Sequence, residues 1–433
     1  MPVRLKKSRG LKGTIYMPGD KSISHRALML GAMAEGETII NGLSLSKDVK
    51  STLRCLESLG ITIEEIKRDK AASVIVQGGG LRGFKKPESS LLAGNSGTTM
   101  RLLSGILAGQ YFTTTITGDS SLKRRPMKRI VEPLMQMGAN ISCNKNFTPP
   151  LTITGGRLKA RTFKLWIPSA QVKSCIMLAA FYADGVTVIE EPAASRDHTE
   201  RMIELFGAEI DADGLKISLK GGQKLAGTEV MIPGDISSAS FFLVAGSLVE
   251  DSLLTIKDVG INPLRTGIIA VLKQMGAHIS SGKERIFSGE PVADLQVCSS
   301  ELRGIEITGD IIPKLIDEIP VLAVAASMAK GKTVIKGASE LRVKEADRIK
   351  AVVNNLRKMG ARVDELKDGM IIYGGNRLDG AVIDTYGDHR IEMAFAIAAL
   401  AAEEETIIKN AGWSGISFPG FYETIANVIE NEK

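Results

Sequence analysis

The stretch Met137-Gly138-Ala139-Asn140-Ile141 is one of five versions of a phrase that decides the fold of this chain. The five versions stand at 59–63, 137–141, 206–210, 275–279 and 359–363. Each follows an amphipathic run, has glycine in second place and precedes β-branched residues. Glycine adopts positive φ at little cost and commonly follows the end of a helix. The phrase therefore predicts an amphipathic helix, a glycine cap and then a strand.

Two further patterns precede each phrase and complete a repeat. Short β-branched strands are expected at 38–41, 114–117, 186–189, 254–257, 332–335 and 405–408. Helices rich in alanine and leucine are expected to begin at 21–24, 95–98, 169–171, 235–238, 317–320 and 387–390. The 433 residues thus contain six copies of one repeat of about 72 residues. The last copy lacks its final strands, and residues 5–17 are expected to supply the missing pairing.

The turn sequence Pro-Gly-Asp occurs twice, at 18–20 and at 233–235. Proline followed by glycine marks turns and hinges. Since the two copies bracket three repeats, we expect the chain to cross twice between two domains. Residues 1–19 and 234–433 would form a discontinuous domain with repeats four to six, and residues 20–233 a domain with repeats one to three.

Composition and charge exclude several classes of protein. The net charge of +6 is small for 433 residues, and the aromatic residues, 5% of the chain, do not interleave with the basic ones. The charge suits a small anionic substrate at least as well as nucleic acid, and the composition argues against a stacking platform for single-stranded nucleic acid. The four cysteines form no C-x-x-C pair and the four histidines have no metal-ligand spacing. The sequence shows neither a signal peptide nor an apolar run long enough to span a membrane, so a cytoplasmic protein is expected.

Cations stand at several predicted helix starts. They are Lys21, Arg26, Arg101, Lys173 and Arg390. A helix N-terminus attracts anions through its free N–H groups and its dipole. One reading of each start is an ordinary N-cap with solvated charges. The other is an anion-binding site built from equivalent positions of several repeats.

Loops after the β-branched strands add more cations, at 118–126, 195–198 and 341–348. A charged run is often only a solvated face, and part of 342–348 is expected to be one. Because these loops occupy equivalent positions in the repeats, the fold could also bring them to one cleft. Arginine there would bind phosphate and carboxylate groups in a bidentate manner.

Four residues are candidates for acid–base chemistry: Asp317, Glu345, Asp388 and Lys21. Asp317 opens a predicted buried helix, so it is either an N-cap or a base. Glu345 is either an ordinary salt-bridged helix residue or an acid–base group. From the residues alone we predict a two-domain α/β enzyme with an interdomain cleft for small substrates that carry phosphate and carboxylate. The reaction itself does not follow from these patterns.

Six motifs, taken together and in order, resemble the 5-enolpyruvylshikimate-3-phosphate synthase family of enolpyruvyl transferases. They are Pro18-Gly-Asp-Lys-Ser-Ile-Ser-His-Arg26, Gly94-Asn-Ser-Gly-Thr-Thr-Met-Arg101, Lys123-Arg-Arg-Pro-Met127, Ser169-Ala-Gln-Val-Lys-Ser174, Arg342-Val-Lys-Glu-Ala-Asp-Arg348 and Gly387-Asp-His-Arg390. The resemblance covers essentially the whole chain. It implies two domains of three βαβαββ units each, an inside-out α/β barrel, in agreement with the repeat count.

The resemblance also implies the substrates and the residues that bind them. Phosphoenolpyruvate would contact Lys21, Gly97, Arg125, Gln171, Glu345, Arg348 and Arg390. Shikimate 3-phosphate would contact Ser22, Arg26, Ser169, Ala170, Gln171, Arg196, Asp317 and Lys344. Catalysis would rest on Lys21, Asp317 and Glu345. No metal ion or organic cofactor is expected, and a monomer is expected. The family is a glyphosate target, but sensitivity stays open here: Ser169-Ala170-Gln171 and Arg196-Asp-His-Thr199 resemble the tolerant branch, and Gly97 resembles the sensitive one.

The implied chemistry is addition followed by elimination. A base near Asp317 or Lys21 would take the 5-hydroxyl proton. Glu345 or Lys21 would protonate the methylene carbon and later deprotonate it. The cations would stabilise the tetrahedral intermediate that still carries phosphate.

Two alternatives remain at this point. The UDP-N-acetylglucosamine enolpyruvyl transferases usually carry a reactive cysteine five residues before the loop arginine, where this chain has Ser120. Cys143 lies beyond that loop and is expected to be a packed thiol. A non-catalytic protein that binds anions or nucleic acid is the second alternative, and it predicts salt-dependent binding without turnover.

Overall fold

A computed structural model describes residues 2–66, 72–375 and 377–429. The described residues divide into two compact units. The terminal unit contains those up to Pro18, Gly234–Arg285 and those from Pro291 onward. The middle unit contains Gly19–Pro233 and Ile286–Glu290. The predicted boundaries assign 286–290 to the other domain, whereas in the structure these five residues group with the middle unit.

The strands are β1 (Val3–Leu5), β2 (Lys12–Tyr16), β3 (Glu35–Asn41), β4 (Thr62–Ile66), β5 (Ser73–Gly79), β6 (Leu91–Leu92), β7 (Thr113–Thr117), β8 (Asn140–Ser142), β9 (Leu151–Thr154), β10 (Leu158–Lys159), β11 (Thr162–Lys164), β12 (Ala183–Asp184), β13 (Val186–Glu190), β14 (Asp211–Asp213), β15 (Lys216–Lys220), β16 (Glu229–Met231), β17 (Leu253–Gly260), β18 (His278–Ser281), β19 (Arg285–Phe287), β20 (Glu290–Cys298), β21 (Glu306–Ile307), β22 (Lys332–Ile335), β23 (Arg362–Leu366), β24 (Gly369–Tyr373), β25 (Val382–Asp384) and β26 (Thr406–Lys409).

The helices are α1 (Lys21–Met33), α2 (Lys47–Ser58), α3 (Gly97–Ala108), α4 (Lys128–Met137), α5 (Ala170–Ala180), α6 (His198–Leu205), α7 (Ile236–Leu248), α8 (Gly267–Gln274), α9 (Ile312–Leu315), α10 (Ile319–Met328), α11 (Arg348–Lys358), α12 (His389–Ala401) and α13 (Phe421–Val428).

The recurring phrase folds as predicted. Its glycines have positive φ in all five versions, at Gly60, Gly138, Gly207, Gly276 and Gly360. Each follows the end of an amphipathic helix (α2, α4, α6, α8 or α11) and precedes a strand within a few residues. A side chain at such a φ would be strained, so the phrase fixes where each helix stops.

Six sheets repeat one pattern of pairing. In the middle unit their strand orders are β16-β3-β5-β4, β6-β7-β9-β8 and β11-β13-β15-β14. In the terminal unit they are β2-β17-β20-β18, β21-β22-β24-β23 and β25-β26-β1. The first pair in each order is parallel and the remaining pairs are antiparallel. The predicted α/β fold with six repeats in two domains is therefore confirmed.

The N-terminal segment serves two sheets rather than one. The expectation was that residues 5–17 pair with the last repeat. Instead β1 completes the sixth sheet, with Val3 opposite Ile408 and Leu5 opposite Thr406. The next strand, β2, runs parallel to β17 in the fourth sheet. The segment is divided because residues 6–11, which lie in neither strand, separate β1 from β2.

The strands before the two Pro-Gly-Asp turns are exchanged between repeats. β2 precedes α1 in the chain but joins the fourth sheet, and β16 precedes α7 but joins the first. The chain passes from one unit to the other immediately after each strand. Gly19 is required at the first passage, because a Cβ there would lie 1.8 Å from the carbonyl oxygen of Gly42.

One helix of each repeat lies in the core. These are α1, α3 and α5 in the middle unit and α7, α10 and α12 in the terminal unit, and nearly all their residues are buried. Small residues allow them to approach closely: a Cβ on Gly105 of α3 would lie 2.2 Å from the carbonyl oxygen of Cys175 in α5. The sheets keep one face exposed, as the alternating burial along β7 and β13 shows. This is the inside-out arrangement that the resemblance implies.

Candidate active site

The starts of the buried helices carry most of the predicted site residues. Side chains cap five of the six starts: Asp20, Ser96, Ser169, Asp235 and Asp388 each accept a backbone N–H of the first turn. Such caps define where the helix begins and direct its next residues. The N-cap part of that reading is therefore correct, but its solvated charges are not, since Arg26, Lys173 and Arg390 are buried.

The predicted site residues fall into two groups, one in each unit. Those of the middle unit, here named the middle cluster, are Lys21, Ser22, Arg26, Gly97, Arg125, Ser169, Ala170, Gln171 and Arg196. Those of the terminal unit, here named the terminal cluster, are Asp317, Lys344, Glu345, Arg348 and Arg390.

Lys21 is the first residue of α1 and is half-buried. Its Nζ lies 2.8 Å from Oδ2 of Asp48, a residue of α2. The ammonium group is thereby held at a helix N-terminus, next to the N-cap Asp20. Sequence reasoning missed Asp48, since no local pattern distinguishes it from other helix-surface carboxylates.

Hydrogen bonds join the three helix starts into a ring. Thr52 of α2 lies 2.7 Å (Oγ1 to Oγ1) from Thr99 of α3. Arg101 Nη1 of α3 donates to Gln171 Oε1 of α5 at 2.5 Å. Arg26 of α1 donates to Ser174 of α5 at 2.7 Å, and His25 of α1 closes the ring with Nδ1 2.6 Å from Thr52 Oγ1. The structure thus brings together residues from all three repeats of the unit.

Gly97 lies against two guanidinium groups. A Cβ at this position would be 3.1 Å from Nη1 of Arg101 and 3.3 Å from Nη1 of Arg125. Arg125 is buried and donates to Asn95 Oδ1 at 2.8 Å and to Ser121 Oγ at 3.3 Å. Glycine therefore leaves the first turn of α3 open beside two arginines. Arg101 was noted as a charged helix start but was not assigned to the site, although it lies one turn after Gly97.

Arg26 is a structural hub as well as a candidate ligand. It is buried and donates from Nε to Thr199 Oγ1 at 2.6 Å and from Nη1 to the carbonyl of Ser22 at 2.9 Å. It thereby joins α1 to the start of α6. Arg196 lies in the loop that precedes α6 and is half-buried. Two cations of the loop at 118–126, Lys123 and Arg124, are instead exposed.

Lys173 does not belong to an anion-binding surface. It was grouped with the cations at the helix starts, but it is fully buried and contacts Glu191 at 2.7 Å and Glu200 at 2.6 Å. Burial raises the pKa of Glu200, and the Lys173 ammonium opposes that rise. Two carboxylates already neutralise this lysine, so the reading as a substrate cation is wrong.

The histidine beside Lys21 is a structural residue. His25 is fully buried and its Nδ1 lies 2.6 Å from Thr52 Oγ1. Burial, together with Lys21 and Arg26, lowers the pKa of His25 well below its ordinary value. The imidazole is therefore neutral near pH 7 and adds no charge to the cluster.

Arg348 is the centre of the terminal cluster. It begins α11, is buried, and donates to Asp388 at 2.8 Å, to Glu345 at 2.7 Å and to Asp317 at 3.5 Å. Burial disfavours its charge, but the carboxylates Asp388, Glu345 and Asp317 raise its pKa above the ordinary value. The guanidinium stays charged and fixes the position of each acid.

Asp317 is not an N-cap. It lies in the turn between α9 and α10, and α10 begins two residues later with no side-chain cap. Its Oδ1 lies 3.7 Å from Nζ of Lys344 and 3.5 Å from Nη1 of Arg348. The N-cap reading is wrong, because the short helix α9 shifts this carboxylate away from the helix start and toward the cations.

Glu345 is not in a helix; it lies in the loop between the 3-10 turn at 339–343 and α11. Its side chain is 14% exposed, so the carboxylate is accessible while Arg348 holds it in place. Arg342, from the same charged run, instead pairs with Asp347 and Glu365. That part of the run is the solvated ion-pair network that was expected.

Arg390 stands beside this network. Its backbone N donates to Asp388 Oδ1 at 2.8 Å, and its Nη1 donates to the carbonyl of Ser237 at 3.4 Å. Oε1 of the buried Glu318 lies 4.0 Å from the same Nη1. Asp388 thus bonds both the backbone N of Arg390, near the start of α12, and the guanidinium of Arg348, at the start of α11. Sequence reasoning missed Glu318 as a partner.

The described residues contain neither a metal-binding group nor a membrane-spanning helix. Within 2–66, 72–375 and 377–429, no group of His, Cys, Asp and Glu side chains could hold a metal ion. No helix in the same residues has the length and hydropathy needed to cross a membrane.

The chain as a whole is similar to known proteins of one family. The model of the family described as EPSP synthase (3-phosphoshikimate 1-carboxyvinyltransferase) matches residues 5–425. A 3-phosphoshikimate 1-carboxyvinyltransferase of Thermoanaerobacter sp. (strain X514) is 54% identical over 424 residues, which cover 98% of this chain and 99% of that protein. A protein of the same description from Brevibacillus brevis is 52% identical over 430 residues, covering 99% and 100%.

A solved structure agrees with these relatives. An EPSP synthase from Acinetobacter baumannii superimposes with a TM-score of 0.87 at 44% identity. The superposition covers 99% of this chain and 98% of that one.

Proposed function

The chain belongs to the EPSP synthase family, and from this premise we propose how its two clusters carry out the family reaction. The chain is a transferase: it moves the enolpyruvyl group of phosphoenolpyruvate to the 5-hydroxyl of shikimate 3-phosphate and releases phosphate. This is a step of the shikimate pathway, which leads to the aromatic amino acids. The alternative acceptor, a UDP-sugar, is not favoured.

Phosphoenolpyruvate carries a phosphate and a carboxylate, so its binding requires several cations. We assign to it Lys21, Gly97, Arg125 and Gln171 of the middle cluster together with Arg348 and Arg390 of the terminal cluster. Gly97 supports this role, because a bare first turn of α3 beside Arg125 lets an anion approach the backbone N–H groups. Arginine suits both anionic groups, since its fork of N–H donors can bind two oxygens at once.

Shikimate 3-phosphate carries one phosphate and free hydroxyls. We assign to it Ser22, Arg26, Ser169, Ala170, Gln171 and Arg196 of the middle cluster, with Asp317 and Lys344 of the terminal cluster. The ring of hydrogen bonds around Arg26 supports the first group, because it sets Ser22 and the start of α5 beside one guanidinium. Asp317 suits a hydroxyl, since a carboxylate can accept its proton.

The reaction proceeds in two steps. In the addition, a base, Asp317 or Lys21, takes the 5-hydroxyl proton, the oxygen bonds to C2 of phosphoenolpyruvate, and an acid gives a proton to C3, which becomes a methyl group. In the elimination, a base removes one methyl proton, the double bond re-forms and the C2–O bond to phosphate breaks. We propose that Glu345 is the group that gives and removes the proton at C3, with Lys21 as the alternative.

One observation carries this proposal: Asp317 converges with Lys344, Glu345 and Arg348, which come from a distant part of the chain. Asp317, Lys344 and Glu345 can exchange protons, while Arg348 stays charged and holds the two acids. Cations so placed also stabilise the negative charge of the intermediate, an effect that typically contributes a large part of catalysis.

The assignment to two substrates is tested by measuring each substrate separately. Arg196→Ala should weaken binding of shikimate 3-phosphate by about 10- to 100-fold, as expected for the loss of a charged hydrogen bond. Arg125→Ala should instead raise KM for phosphoenolpyruvate by a similar factor. Titration calorimetry with shikimate 3-phosphate alone gives the first value, and steady-state kinetics give the second.

A matched control is Arg157→Ala, which removes an exposed arginine of the same unit that pairs with Asp184. It should leave the dissociation constant of shikimate 3-phosphate and the KM for phosphoenolpyruvate within about twofold of those of the unmodified protein, since exposed ion pairs contribute little. The assignment is wrong if Arg196→Ala leaves binding of shikimate 3-phosphate unchanged, or if Arg125→Ala affects only that substrate.

We further propose that the chain acts as a monomer in the cytoplasm and without nucleic acid. The four cysteines, Cys55, Cys143, Cys175 and Cys298, are free thiols, which suits a reducing compartment.

A further inference from the structure

A short segment from the fourth sheet packs against α6, the helix that follows the Arg196 loop, and against β16. Residues Ile286–Glu290 span the turn between β19 and β20 and group with the middle unit. The carbonyl of Gly289 accepts a hydrogen bond from Arg201 Nη1 at 2.8 Å, and Ser288 Oγ accepts one from the backbone N of Met231 at 2.8 Å. The segment is therefore bonded at several points.

The innermost contact is a buried hydrogen bond between two side chains. Oε1 of Glu290 lies 2.6 Å from Nδ1 of His198, and the two side chains are 3% and 2% exposed. A carboxylate oxygen accepts hydrogen bonds, so an Nδ1–H of His198 can donate to it. Neither residue has the exposure needed to touch a substrate.

His198 begins α6, whose first turn contacts Arg26 of the middle cluster. Oγ1 of Thr199 accepts the Nε hydrogen of Arg26 at 2.6 Å and lies 2.7 Å from Ser174 Oγ. Any shift of this turn would move Thr199, and with it the acceptor that orients Arg26. Arg196 precedes His198 by two residues.

The other side of the Arg196 loop is held by Lys173. Its Nζ donates to the carbonyl of Ser195 at 3.3 Å while it pairs with Glu191 and Glu200. Arg196 thus stands between Ser195, which Lys173 fixes, and His198, which Glu290 fixes. Buried charged pairs of this kind stabilise one geometry, because the loss of either partner leaves an uncompensated charge.

We propose that Glu290 and His198 are positioning residues for shikimate 3-phosphate. Glu290 fixes His198, His198 fixes the first turn of α6, and that turn sets the orientation of Arg196 and, through Thr199, of Arg26. The proposal rests on the assignment of Arg26 and Arg196 to this substrate. The segment 286–290 thus has a specific role in binding shikimate 3-phosphate, and it has none in binding phosphoenolpyruvate.

The test compares Glu290→Ala and Glu290→Gln. In Glu290→Ala, the dissociation constant of shikimate 3-phosphate should rise about tenfold or more, while KM for phosphoenolpyruvate and kcat at saturation stay within about threefold. Glu290→Gln keeps an oxygen acceptor for Nδ1 and should restore most of the binding. Glu35→Ala, which breaks an exposed pair with Lys224 in the same unit, is the matched control and should bind normally.

Thermal unfolding of each variant separates positioning from stability. A lower Tm together with unchanged binding of shikimate 3-phosphate would overturn the proposal. If Glu290→Ala does not fold, Glu290→Asp takes its place. It keeps the charge but withdraws the oxygen by one methylene, and it should weaken binding to an intermediate degree; unchanged binding overturns the proposal equally.

A double variant distinguishes this proposal from the assignment on which it rests. If Glu290 acts partly through Arg196, Arg196→Ala should weaken binding of shikimate 3-phosphate by a smaller factor in the Glu290→Ala variant than in the unmodified protein. Fully additive effects would contradict the positioning role. If Arg196→Ala by itself does not weaken binding, the substrate assignment fails, whatever Glu290 does.

Discussion

Glu345→Gln is expected to lower kcat by about 1000-fold, within the range that general acid–base groups contribute. Glutamine has the same shape and can still accept the hydrogen bond of Arg348, so the loop should keep its position. It cannot exchange a proton with C3 of phosphoenolpyruvate. The dissociation constant of shikimate 3-phosphate should stay within about twofold, because the proposed binding groups remain. Steady-state kinetics and calorimetry measure the two quantities.

Glu365→Gln is the matched control for this variant. Glu365 also pairs with an arginine, Arg342, at 2.8 Å in the same unit, but it lies outside the terminal cluster. Its kcat should be close to that of the unmodified protein. A kcat of Glu345→Gln within tenfold of the unmodified value would exclude Glu345 as the proton-transfer group and leave Lys21 in that role.

Lys21→Met is expected to reduce kcat/KM for phosphoenolpyruvate by at least about 1000-fold, because it removes both a cation and a possible proton donor. Lys21→Arg restores the positive charge but cannot take part in proton transfer near neutral pH. Recovery of KM without recovery of kcat in Lys21→Arg would show that the ammonium group exchanges a proton. Recovery of both would show that it acts by charge alone.

Loss of Lys21 leaves the carboxylate of Asp48 buried without its ammonium partner, which can destabilise the unit. The double variant Lys21→Met/Asp48→Asn removes both charges and should regain stability while activity stays low. Lys47→Met, which changes an exposed lysine at the first position of α2, is the control and should be fully active. Near-normal turnover in Lys21→Met would remove Lys21 from the catalytic group.

Much of the fold could be predicted because its signals are local. A glycine with positive φ ends each amphipathic helix, and the same phrase marks this point at 59–63 and again at 359–363. Strand partners are not local. The exchange of β2 and β16 between repeats, and the use of β1 in the last sheet, depend on distant parts of the chain that no short pattern encodes.

The candidate site was predicted where a residue type and a helix start coincide. Lys21 lies at such a start, whereas Gly97 and Gln171 are implied as site residues by the family resemblance; hydrogen bonds join the three helices that carry them. Lys173 fits the same pattern but is buried between Glu191 and Glu200, which follow it by 18 and 27 residues. Sequence position shows where a charge enters a helix, but not which partner neutralises it.

Asp317 shows a second limit of the same kind. Its position before an apolar helix is typical of an N-cap, yet the short helix α9 changes the path of the chain and brings the carboxylate to Lys344 and Arg348. The partners of the segment 286–290 were equally beyond prediction. Glu290 is 92 residues from His198, and only the fold brings them together.

The most direct test of the proposed chemistry is the release of phosphate from phosphoenolpyruvate with each possible acceptor. Shikimate 3-phosphate should support turnover, with one phosphate released for each enolpyruvyl ether formed, and UDP-N-acetylglucosamine should support none. Release with the UDP-sugar alone would assign the chain to the other enolpyruvyl transfer, and release with neither acceptor would contradict the enzyme assignment altogether.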